Sequence, residues 1–249
     1  MAQAKEIIGE IHALLEREHS LNLRHHPMAI TLEADGTLVL EGEVQNLAAK
    51  KIALERAASV RGVTGIADRL RVAPSRRMGD SEIRDHVRNS LHAEPAFAAC
   101  RIVTVATERP LARAKATGRA GDYIEIVVAD GVVTLDGRVE SLSHKRLAGL
   151  LTWWVPGTRD VVNGVEVDPS QEDSDAEITD AVRMALEKDP IVHSGLISAS
   201  TRNAVVTLEG VVATEEQSRA AESDAWFIFG VDKVVNRLSS GHKGSLREQ

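Results

Sequence analysis

Three hexapeptides decide the reading of this chain: TLVLEG at 37–42, VVTLDG at 132–137 and VVTLEG at 205–210. Each has the β-branched and leucine content of a half-buried strand and closes on a glycine. Twenty residues after that glycine every copy has a second one, Gly62, Gly157 or Gly230. Six residues further on stands Asp68, Asn163 or Asn236. Four residues after the first glycine comes Asn46, Ser141 or Thr214, each a favoured helix N-cap. Coincidence at fixed offsets in three places identifies an internal repeat. Gly42, Gly137, Gly210 and their later counterparts Gly62, Gly157 and Gly230 are therefore read as structural residues.

Each feature has a physical role. Asp35-Gly36 and Asp130-Gly131 are turn pairs, because a tight hairpin requires positive φ. The third copy has Asn203-Ala204, which loses the glycine. The N-cap then opens a helix of about fifteen residues, or ~22 Å, expected to stop at the second glycine. Thr214 and Gln217 have capping-box spacing, as do Ser174 and Glu177 ahead of an earlier helix. The buried stripe is Ala53, Ala57 and Val60, matched by Ala148, Thr152 and Val155, then by Ala221, Ala225 and Ile228. A preceding helix in each copy carries Ile7, Ile11 and Leu15; Ile83, Val87 and Leu91; or Ile178, Val182 and Leu186. A last strand follows the second glycine. The unit is α-β-β-α-β over roughly 65 residues, a size that buries only about 60% of its unfolded surface and needs neighbours.

The expected fold class is α+β: three tandem α-β-β-α-β modules, each a small three-stranded mixed sheet covered by two helices. Their bounds are 1–72, 80–168 and 174–239, with a tail at 240–249. The chain has 249 residues and a net charge of −7. By module, 9 basic against 10 acidic residues give −1, 11 against 13 give −2, and 6 against 11 give −5. Affinity for nucleic acid comes chiefly from neutralising phosphates, so this balance speaks against a nucleic-acid partner. No run approaches the ~18–20 apolar residues of a membrane span. The opening MAQAKEIIGEIHALLEREH reads as an amphipathic helix and not as a signal peptide, so the expected compartment is cytoplasmic. The single cysteine, Cys100, excludes an internal disulfide and reads as a small packed residue.

The hairpin, the glycine-closed strand, the N-capped helix, the second glycine and the Asp or Asn six residues later together resemble the BON domain, named for bacterial osmotically inducible and nodulation proteins. The resemblance covers nearly the whole chain in three copies. It implies the α-β-β-α-β sandwich, an envelope or stress-related setting, and association with phospholipid; relatives fused to other modules are linked to small-ligand or ion sensing. Ala204, a long insertion in the second copy, and the reading of the opening residues depart from the family pattern.

That insertion is the first candidate site. The anchor glycines are 95 residues apart between the first and second copies and 73 between the second and third, a difference of 22. The excess lies at 101–123, where Arg101, Arg109, Arg113, Lys115 and Arg119 face only Glu108 up to Ala120, a net of +4. Long loops inside compact modules are functional or disordered; the functional reading is a clamp for anionic headgroups or an acidic protein partner. The second candidate is aromatic. Trp153 and Trp154 match Trp226 and Phe227 in register, at the last turn of the second helix. They suit an apolar boundary or packing between the second and third modules. Neither reading excludes a homo-oligomer. His25-His26 and the EDSD run at 172–175 lack metal-ligand spacing. No nucleotide, hydrolase or metalloprotease motif is present, so neither catalysis nor a cofactor is expected. The expected role is a non-catalytic binding protein on anionic phospholipid or envelope components. The alternative is a cytoplasmic adaptor or a small-ligand or ion sensor working between modules.

Overall fold

The computed structural model describes residues 2–105 and 121–240. The chain divides into two compact units, Met1–Ser75 and Arg76–Gln249.

The first unit comprises α1 (Ala2–Arg17), β1 (Met28–Leu32), β2 (Thr37–Val44), α2 (Leu47–Ala58) and β3 (Gly65–Val72). Its sheet runs β1-β2-β3, antiparallel across the hairpin and parallel from β2 to β3. The α2 crossover between parallel strands puts a helix on the sheet. Ile7, Ile11 and Leu15 of α1 meet Leu38, Leu40 and Val44 of β2 and Ala49, Ala53 and Ala57 of α2 in one core. The small α2 residues let that helix approach the sheet. The Asn46 side chain accepts from the Ala49 N–H at 2.8 Å and so starts α2 where its side-chain chemistry predicts.

The second unit begins with α3 (Asp80–Ala93), β4 (Arg101–Thr104), β5 (Tyr123–Ala129), β6 (Val132–Val139), α4 (Leu142–Trp153), β7 (Asp160–Asn163) and β8 (Glu166–Val167). It continues with α5 (Asp175–Lys188), β9 (Ile197–Arg202), β10 (Val205–Val212), α6 (Glu215–Phe227) and β11 (Lys233–Ser240). The last sheet keeps the three-stranded order β11-β10-β9. The middle sheet differs from the expected three strands: its order is β4-β5-β6-β7, with β8 also paired to β6. Two local causes account for this. The start of the insertion, RIVT, adds a parallel edge strand in the register Arg101↔Tyr123. The final strand breaks at Gly164, whose N–H donates to the Leu135 carbonyl at 2.8 Å.

The hairpin turns reveal a device absent from local sequence signals. Asp130 and Gly131 have φ of 53° and 75°, and Asn203 and Ala204 have 50° and 58°. Two positive values in succession define the tight primed turn that suits twisted strands. Both turns are tied to the first residue of the module's leading helix. The Asp80 carboxylate accepts from the N–H groups of Asp130 (2.9 Å) and Gly131 (2.8 Å). Asp175 does the same for Asn203 (2.7 Å) and Ala204 (2.9 Å). The matching position in the first module is Ala4, three residues before Ile7. There Asp35 closes its own turn, accepting from the Thr37 N–H at 2.9 Å.

The paired glycines have two distinct jobs. Gly137 and Gly210 have φ of 134° and 137°, and a Cβ on them would lie 2.1 Å and 2.0 Å from the carbonyl oxygens of Tyr123 and Leu196. The neighbouring backbone thus excludes any side chain. The second glycines do not terminate the helices as expected. Helices α2, α4 and α6 end at Ala58, Trp153 and Phe227, and the chain turns so that Val60, Val155 and Ile228 enter the core. Gly62 and Gly157 then pass under the leading helix: a Cβ on Gly62 would meet Ile7 at 2.7 Å, and one on Gly157 would meet Ile83 at 2.9 Å. Close approach at Gly62 and Gly157, and a positive φ at Gly62 (102°) and Gly230 (94°), demand glycine there.

Candidate functional site

The recurrent strand residue is the first candidate to resolve. Asn163 donates from Nδ2 to the Lys145 carbonyl of α4 at 2.8 Å and accepts from the Val165 N–H. Asn236 donates to Ser218 and Glu222 of α6 and accepts from the Leu238 N–H at 3.0 Å. Asp68 accepts from the Leu70 N–H, but a carboxylate has nothing to donate to α2. Lys50, 4% exposed, supplies the donor and pairs with Asp68 at 2.9 Å. All three residues therefore stitch the last strand to the second helix, a structural duty.

Polar and aromatic chemistry gathers where α4 meets α5 and α6. Trp153 stacks on Phe227 with ring centroids 5.4 Å apart and planes 7° from parallel. Trp154 donates from Nε1 to Oδ1 of Asp224 at 2.9 Å. Asp224 is 2% exposed, and burial foremost, with the charge of Asp189, pushes its carboxyl up to about 8. Arg146 of α4 is fully buried. Its Nε donates to the Phe229 carbonyl at 3.0 Å, and one terminal nitrogen pairs with Asp173 in the segment between the modules. A buried guanidinium needs such partners to offset lost hydration. Its other terminal nitrogen and Asp224 Oδ2 are buried without a hydrogen-bond partner. Lys188 of α5 joins Glu94, just past α3, at 2.9 Å.

The sequence-based candidates separate in space. Trp153 and Trp154 are half-buried at this junction, engaged by residues of the third repeat. Arg101 is exposed on β4 with its guanidinium 5.5 Å from the centroid of the Tyr123 ring. Arg109, Arg113, Lys115 and Arg119 lie outside the described residues. Sequence reasoning placed Phe229 in an aromatic cluster but gave it no role; it is 50% exposed, with the Lys145 ammonium 4.9 Å from its ring centroid. Sequence reasoning missed Arg146 and Asp224, since a charged residue on a helix face looks the same in sequence whether buried or solvated. Cys100 is buried, and desolvation raises its thiol to about 11. Among the described residues no group of three or more His, Cys, Asp or Glu side chains converges as a metal site would. No helix among them is long and apolar enough to cross a membrane.

Three α-β-β-α-β repeats with two classes of invariantly placed glycine, and matched strand-to-helix stitches, define a tandem array of one small α+β module. The chain belongs to the BON domain family, which matches residues 4–74, 111–169 and 174–241. It is 32% identical over 123 residues to osmotically-inducible protein Y of Escherichia coli (strain K12), across 47% of this chain and 61% of that protein. The chain thus spans about six-tenths of the length of the curated relative it matches. Among solved structures, the C-terminal domain of CdsD, a structural protein of the Type III secretion system of Chlamydia trachomatis, aligns over 93% of this chain at 15% identity with a TM-score of 0.23. A second CdsD structure aligns over 95% with a TM-score of 0.24. Those scores carry no inference.

Proposed function

We propose that this chain is a non-catalytic binding protein that associates with anionic phospholipid surfaces or envelope components in a stress response. Its membership of the BON family and its similarity to an osmotically inducible protein support the setting. The observation that carries the choice of ligand is the net +4 of the basic segment 101–120 in a chain of net −7. Each basic side chain near an anionic membrane contributes about 1 kcal/mol, so five act as a salt-sensitive tether. In the closed junction the Trp153 and Trp154 rings are already engaged, so we assign the primary contact to Arg101, Arg109, Arg113, Lys115 and Arg119. The tryptophans are a secondary, apolar contact. Cosedimentation with vesicles containing phosphatidylserine is expected at low salt and lost at high salt. Replacing the five basic residues with Ala should abolish it; unchanged binding by that variant refutes the clamp.

A second reading, a small-ligand or ion sensor acting between modules, draws on the two partnerless buried atoms of Arg146 and Asp224. Thermal stabilisation by an ion or metabolite, without vesicle binding, would favour it.

A further inference from the structure

The junction of α4, α5 and α6 holds a carboxyl pair that the phospholipid-binding role does not use. Asp224 Oδ1 is taken by Trp154, and Oδ2 is buried with no donor. The Asp189 carboxyl, at the C-terminal end of α5, stands within hydrogen-bonding reach of Asp224. One Asp189 oxygen already accepts from the Ile191 N–H at 2.8 Å. Two carboxylates so placed have only acceptors between them and repel. A single proton turns that repulsion into an O–H···O bond and satisfies the orphaned Oδ2. We propose that the junction between the second and third modules is a proton-operated clasp, closed while Asp224 carries a proton and donates it to Asp189, and loosened when that proton leaves to solvent.

The surroundings favour the protonated state. From α5, the neighbouring cation Lys188 is committed to Glu94. From α4, Arg146 is turned to Asp173 and to the Phe229 carbonyl. On α6 itself, Glu222 faces Asn236. The end of α5 presents the negative pole of its helix dipole, which opposes a second negative charge. Burial and the Asp189 charge outweigh the bond from Trp154, which favours ionisation, and hold the Asp224 carboxyl up at about 8. An acid whose folded value lies above its unfolded one binds protons better when folded. Stability is therefore lost as pH rises from the ordinary carboxylate range through about 8. The same helices carry Trp153 and Phe227, so loosening the clasp uncovers an apolar aromatic face.

The test uses the full chain, followed by tryptophan emission and amide hydrogen exchange between pH 6 and 9.5. All three tryptophans (153, 154 and 226) lie on α4, directly after it, or on α6. A midpoint near pH 8 is expected, with exchange in α4 and α6 faster by about tenfold beyond its intrinsic pH dependence and α2 unaffected. Asp224→Asn keeps an acceptor for Trp154 and gains a donor for Asp189, so it should abolish the transition. Asp189→Asn removes the repelling charge and should lower the midpoint by about one pH unit. A flat wild-type profile, a transition that persists in Asp224→Asn, or an unmoved midpoint in Asp189→Asn overturns the clasp.

Discussion

Replacing Asp175 with Ala tests whether the third module depends on the tie between its leading helix and its hairpin. The carboxylate accepts two backbone N–H groups at 2.7 and 2.9 Å from a half-buried position. Hydrogen bonds to a charged group contribute about 1.5–3 kcal/mol each. Partial exposure sets the lower value, so the two together give about 3 kcal/mol. One of the donors belongs to Ala204, whose φ of 58° is a left-handed conformation that costs a non-glycine residue about 1–2 kcal/mol. Asp175 thus holds a strained turn in place. Ala204→Gly relieves the strain but loosens the unfolded chain by about 0.4–1 kcal/mol, leaving a net gain of about 0.5 kcal/mol in the parent. In the Asp175→Ala background the gain should be larger, about 1 kcal/mol, because nothing else then enforces the turn. Urea unfolding monitored by tryptophan emission reads the second unit alone, since the first unit has no tryptophan. If Asp175→Ala stays within about 0.5 kcal/mol of the parent, water serves those N–H groups equally well and the tie has no energetic role.

In the first unit, Asp68→Asn leaves the Lys50 ammonium buried without its carboxylate. Breaking a fully buried pair costs about 3–5 kcal/mol. Asp68 is partly exposed and Lys50 has a further interaction, so about 2 kcal/mol is expected. The double exchange Lys50→Ser with Asp68→Asn reproduces the Ser218–Asn236 arrangement and should recover most of that loss, as measured by thermal unfolding of the first unit. Cys100, buried and with its thiol raised to about 11, should resist alkylation at pH 8 until urea unfolds the second unit. Labelling at the native rate of a free thiol would contradict its placement.

Much of the architecture was open to reading because it is written at short range. The N-caps Asn46, Ser141 and Thr214 accept from the N–H three residues on, so each signal lies within four residues. The buried stripes repeat every three or four positions and are all in the core. What stayed hidden depends on partners far along the chain. Asp80 reaches a turn 50 residues away and Asp175 one 28 residues away. Aligning the repeats would have exposed them, since an aspartate stands three residues before the leading isoleucine in two copies of three. The second glycines mimic helix terminators because a glycine in a turn beyond the helix end, or one needed for close approach, is the same letter as one that caps the helix. The edge strand β4 hid inside an insertion read as one basic loop. As for the junction, Trp153 and Trp154 advertised it, but nothing local distinguishes a ring stacked on Phe227 from one open to a membrane.

The short stretch between the second and third repeats has a consequence for how such arrays change length. Three successive residues each have a separate appointment: Asp173 with Arg146, Ser174 with the Glu177 N–H, and Asp175 with the Asn203 and Ala204 N–H groups. One inserted residue there would put the first out of phase with the other two. These two repeats are spliced at a fixed pitch, and any duplication or exchange that preserves them has to carry both across as a single cassette.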